Sequence, residues 1–129
     1  MAINEARVVK IGVLKIPSGA NSSLDNATPA SGEFKYISSA QLAGFKSVMI
    51  ATPEDVLTGA VTVRVLYDHM IDETAEASYV TLQSPPGTDV AIAALKAIVL
   101  TDVPFPAFIV FSAGTEADDV FFYVYGKRF

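Results

Sequence analysis

Short runs of β-branched and aromatic residues, each stopped by Pro, Gly or a polar turn, recur along this chain. Their spacing of about 8–12 residues is the rhythm of an antiparallel β-sandwich or small barrel. Residues 60–68, AVTVRVLYD, alternate most cleanly, with Val61, Val63, Val65 and Tyr67 on one side and Thr62, Arg64 and Leu66 on the other. Further strands are expected over 7–16, 33–38, 45–52, 77–84, 97–101, 107–113 and 120–127. In the first of these, Val9, Ile11 and Val13 share a face, and Lys10 and Gly12 dilute the opposite face of Leu14 and Ile16. Helix is confined to single turns at 39–44, closed by Gly44, and near 90–95. The stretch 114–119, GTEADD, reads as a hairpin-like turn. The expected fold is therefore all-β: an antiparallel β-sandwich, jelly-roll-like, of about eight strands, formed by residues 1–129 as one domain.

One segment breaks the rhythm. Residues 17–33, PSGANSSLDNATPASGE, hold Leu24 as their one large apolar side chain. Loops longer than about 12–15 residues in a compact domain are functional or disordered. Ordering costs ~1–2 kcal/mol per residue, which this composition does not recover by itself. The segment is expected to be an extended loop or arm that docks on a neighbouring chain, with Leu24 as its anchor.

The charge balance narrows the partners. Lys and Arg total 9 against 14 Asp and Glu, so the net charge is 9 − 14 = −5. Nucleic-acid binding that rests on clustered cations is not expected from such a chain. Hydrophobic residues make up 51% and charged residues 18%, below the usual charged share of about 25%. No apolar run approaches the ~18 residues of a membrane span. The start, MAINEARVVK, has Glu5 ahead of any apolar run and lacks the order of a signal peptide. The apolar surplus instead suggests burial against partner subunits, although a well-filled core would also absorb it.

Chemistry-bearing constellations are sparse. Cys is absent, so neither a thiol nucleophile nor a thiolate metal site is available. His69 is the one histidine and lies in a polar connection, where a solvated role is the ordinary one. No strained nucleophile turn or phosphate-cradling glycine pattern occurs. Carboxylates gather at Asp68, Asp72, Glu73 and Glu76, and again at Glu116, Asp118 and Asp119. Calcium could use such oxygens, but without an EF-hand order they read first as solvated acidic turns. No catalytic, cofactor or metal residue is expected, and the chain is not expected to be an enzyme.

The aromatic run at 121–125 is more telling. Alternation sends Phe121, Tyr123 and Tyr125 to one face and Phe122 and Val124 to the other, so neither face is polar. Residues 108–111 repeat the pattern. A strand apolar on both sides is covered on both sides, by loops of its own chain or by another subunit. The terminal Phe129, beside Lys127 and Arg128, is either a frayed end or a tail that docks on a neighbour.

The second half has a layout of its own. A strand ends before Pro86-Gly87-Thr88-Asp89-Val90, and an apolar stretch runs through Val99-Leu100. Phe108-Ile109-Val110-Phe111 then leads through Ser-Ala-Gly-Thr-Glu-Ala-Asp-Asp into an aromatic strand closing in Gly126-Lys127. Over roughly residues 77–127 this resembles the small β-sandwich head decoration, or cement, proteins of tailed bacteriophages. The resemblance implies a non-enzymatic virion protein, made in the bacterial cytoplasm, that binds the outer capsid surface. Its partners would be the major capsid protein and further copies of itself, as a homotrimer, with no cofactor, nucleic acid or membrane. The candidate interface residues are then Leu24, Phe121, Tyr123, Tyr125 and Phe129. Three rivals stand beside it: a carbohydrate-binding sandwich module, a small hydrolase or isomerase on a β-barrel with His69 and a nearby Asp in its pocket, and a phage tail or neck component.

Overall fold

A computed structural model of the chain describes residues 8–68, 71–101 and 106–128. The fold is an all-β, sandwich-like arrangement of two sheets. Nine strands lie among the described residues: β1 (Val8–Ile16), β2 (Glu33–Phe34), β3 (Ser47–Ala51), β4 (Val61–Leu66), β5 (Tyr79–Thr81), β6 (Ala91–Ile92), β7 (Ala97–Thr101), β8 (Phe108–Ser112) and β9 (Val120–Lys127). The larger sheet has the order β2-β1-β9-β3-β7. In the smaller one, β4 pairs with β8 along one edge and with β5 and β6 in succession along the other. All pairs are antiparallel except β1–β2.

The core forms where the alternating faces meet. Leu14 and Ile16 of β1, Val48 and Ile50 of β3, and Phe122 and Val124 of β9 pack against Val61, Val63 and Val65 of β4 and Phe108 and Val110 of β8. Val61, Val63 and Val65 thus sit on the side that the period-two pattern assigns them. In β1 the pattern misleads. A β-bulge between Lys10 and Gly12 shifts the phase, so the diluted face of Leu14 and Ile16 is the buried one.

Three other expectations are corrected. The helical turn near 90–95 is not formed, because Ala91 and Ile92 pair with β4 and bury Ile92 in the core. The 33–38 strand shrinks to Glu33–Phe34. The 114–119 segment is no hairpin, since it carries the chain from β8 in one sheet to β9 in the other. The helical turn at 39–44 does form, as α1 (Ser39–Leu42), with a reciprocal capping box between Ser38 and Gln41.

The 17–33 segment lies against its own chain. A 3-10 turn at Ser23–Asp25 is capped by Ser22, whose hydroxyl accepts from Leu24 N–H at 3.1 Å. Ser22, Ser23 and Asn26 are buried. The outer edge of β8 is closed by this region: Ser112 N–H donates to Asn21 C=O, Val110 N–H to Ser23 Oγ, and Phe108 exchanges both main-chain bonds with Ile37. Leu24 packs with Tyr36 and Ile71 onto a second apolar cluster of Leu66, Tyr79, Ala107 and Ile109. The ordering energy that the composition lacks therefore comes from polar contacts to β8 within the same chain, and Leu24 is anchored there.

Candidate interaction surface

The two sheets treat their outer faces differently. On the smaller sheet, Ile109 lies under the cluster just described, and the Arg64 guanidinium stacks on the Phe111 ring at 3.6 Å. The second apolar side of β8 is thus covered by its own chain. On the larger sheet, register aligns Lys10, Tyr125, Met49 and Val99 in one row across four strands, and Val13, Tyr123, Ala51 and Ala97 in the next. Phe121, Tyr123, Tyr125 and Met49 are half-buried, and Val99 is 62% exposed. A shallow apolar depression of about 180 Å³ lies among Val8, Met49, Val99, Tyr125 and Lys127.

Cations rim this face. Lys10 Nζ sits 5.3 Å from the centre of the Tyr123 ring, within cation–π reach. Lys15 approaches Glu33 at 3.8 Å and Asp119 at 4.0 Å. Lys10 and Lys127 have no described carboxylate within ion-pair distance.

The acidic clusters resolve into structural hydrogen bonding. Asp72 accepts from the backbone and hydroxyl of Thr74, which hold its carboxyl below its ordinary range. Glu73 accepts the Tyr36 hydroxyl at 2.9 Å through its carboxylate and the Tyr79 hydroxyl at 2.7 Å through its carbonyl. Burial first, and the Glu73 charge after it, push the Tyr79 phenol up, so it stays a proton donor. Glu76 pairs with Arg64 at 3.8 Å.

Glu116 departs most from its expected role as a solvated turn acid. It is 2% exposed and accepts from Thr58 N–H at 2.9 Å, Gly59 N–H at 3.2 Å and Ser112 Oγ at 2.6 Å. Burial alone would raise its pKa, yet these donors outweigh it and hold the carboxyl below its ordinary value. Among the described residues no three His, Cys, Asp or Glu side chains gather as a metal would need. A groove of about 620 Å³ between residues 55–61 and 91–94 has Asp55 as the one titratable side chain in its lining, so no acid–base pair faces it.

Of the candidate interface residues, Phe121, Tyr123 and Tyr125 share the outer face of the larger sheet, and Leu24 lies away from it on the smaller sheet. Phe129 lies outside the described residues, as does His69. Sequence reasoning missed Lys10, Met49 and Val99 as members of the aromatic row, because their place in it is a matter of register between strands distant in sequence. Comparison with protein family models, curated proteins and solved structures finds no match to this chain.

Proposed function

We propose that this chain is a non-enzymatic structural protein that binds the outer surface of a tailed-phage capsid and stabilises it. One observation carries the reading: the Tyr123–Tyr125 face of the larger sheet is aromatic and only half-buried by the described residues, whereas the chain covers the corresponding face of its smaller sheet. Such a face supports adhesion to another folded surface more readily than chemistry on a small substrate, which needs a concave site with convergent polar groups. Lys10 and Lys127, which have no carboxylate partner among the described residues, would meet acidic positions on the major capsid protein. Self-association is part of the same reading.

The test is co-sedimentation of the purified chain with expanded capsids assembled from the major capsid protein of the phage that encodes it. The chain should bind saturably, and Tyr125→Glu, which sets a charge on the outer face without entering the core, should abolish binding while leaving the melting temperature unchanged. Absence of binding, or binding indifferent to Tyr125→Glu, overturns the reading. Binding to a polysaccharide panel that is lost in the same variant would establish the carbohydrate-binding alternative, for which the paired tyrosines are the favouring feature.

A further inference from the structure

The sheet edges of this protein are not equally protected. The outer edge of β8 is capped at Phe108, Val110 and Ser112 by the segment 21–37. β5 and β6 are three and two residues long. Beyond its short pairing with β2, β1 carries Lys10 and a bulge. Short edges, an edge lysine and bulges are the devices by which proteins prevent strand addition.

β7 has none of them. Its sequence, Ala-Ile-Val-Leu-Thr, contains no charge, proline or glycine, and five consecutive residues pair with β3 on one side alone. The phase of that ladder follows from Thr52 N–H donating to Lys96 C=O. In an antiparallel pair the bonded residues alternate, so Ile98 and Leu100 bond to β3. The N–H and C=O groups of Ala97, Val99 and Thr101 then point away from the sheet, and no described group bonds to them.

We infer that β7 is a self-association edge: two copies pair antiparallel through it about a two-fold axis at Val99, joining their larger sheets into one. The argument for a second copy is self-complementarity. With Val99 opposite its own mate, Ala97 of each strand faces Thr101 of the other, and each outward N–H meets an outward C=O. No charge opposes a like charge. The exposed Val99 side chains become cross-strand neighbours, and the row Tyr125–Met49–Val99 of one copy continues into the same row of the second. An interface of this kind is isologous and closes on itself. The unit is a dimer, in place of the trimer that the resemblance implies, and the inference does not depend on the capsid reading.

Sedimentation equilibrium and light scattering of the full chain read the oligomer, and amide hydrogen exchange reads the edge. The chain should be a dimer with the Ala97, Val99 and Thr101 amides protected. Val99→Pro removes an outward N–H without touching the β3 ladder. Val99→Lys places two ammonium groups opposite each other on an already exposed position, and so guards against a folding failure of the proline variant. Both should be monomers with the outward amides that remain exchanging fast and with melting close to that of the parent. A parent chain that stays monomeric at all concentrations overturns the inference. So does an oligomer that survives Val99→Lys, or one whose Val99 amide exchanges freely.

Discussion

The Glu116 carboxylate takes the Ser112 hydroxyl at 2.6 Å where the chain leaves the smaller sheet for the larger. The same carboxylate gathers the Thr58 and Gly59 amides, and Glu116 C=O accepts from Gly19 N–H at 2.8 Å. One acidic residue thus ties three loops together. Glu116→Ala would strand buried donors, each costing about 1–3 kcal/mol when unsatisfied. The expected loss is about 3 kcal/mol or more of unfolding free energy, read from urea titration. A loss within experimental error would show that water replaces the carboxylate at no cost.

The same residue gives a pH signature. Its folded pKa lies below the ordinary 4.5, so its contribution is complete above that value. The contribution declines as the pH falls from 4.5 towards the lower folded value. Glu116→Gln, which has no proton to gain, should lack this part of the acid slope. The difference in stability between parent and variant should therefore be constant at neutral pH and narrow as the solution is acidified below 4.5. A difference that widens on acidification contradicts the assignment.

Two glycines that face each other should respond unequally. A Cβ at Gly59 would overlap the Gly114 backbone nitrogen, whereas a Cβ at Gly114 would meet Gly59 at an ordinary 3.4 Å. Backbone cannot swing aside as a side chain can. Gly59→Ala should cost about 1–3 kcal/mol, the usual range for overpacking, and Gly114→Ala much less. Thermal melts of the two variants provide the comparison.

Arg64 should matter more than its ion pair. Its guanidinium is stacked on Phe111 at 3.6 Å, while its partner Glu76 is exposed at 3.8 Å. Glu76→Gln is expected to cost under about 1 kcal/mol, as exposed pairs do. Arg64→Lys, which gives up the planar stacking, should cost more than that. The reverse order would assign the contribution to charge.

The alternation at Val61, Val63 and Val65, and at Val120, Phe122 and Val124, is legible in the sequence because period two reports directly which side faces the core. That Phe121, Tyr123 and Tyr125 share the opposite face follows from the same period. Their neighbours do not follow. Met49 and Val99 join Tyr125 only because β3 lies beside β9 and β7 beside β3, non-local pairings with no local signature. The bulge at Lys10–Gly12 is likewise silent, and it inverts the apparent face of β1. Glu116 reads as a turn acid because its donors, Thr58 and Gly59, lie far away in sequence.

The segment 17–33 provides the sharpest test of the same lesson. Its composition, with Leu24 as the single large apolar residue, describes a strand of chain unable to order itself. Its place in the fold is different, because the missing energy comes from β8. Ser112 N–H and C=O are both satisfied by Asn21, Val110 N–H by Ser23, and Ile109 is covered in part by Leu24. Removing residues 19–31 therefore exposes apolar surface and strands donors on a central element of the core. The shortened chain should lose its cooperative melt or melt far below the parent. Leu24→Ala, at a half-buried site, should cost about 2 kcal/mol, the low end for truncating a core leucine. Asn21→Ala, which frees Ser112 C=O from the side-chain amide at 3.1 Å, should cost about 1 kcal/mol. A deletion variant that melts with the parent would show that the segment stands apart from the folded body, as its composition alone would have it.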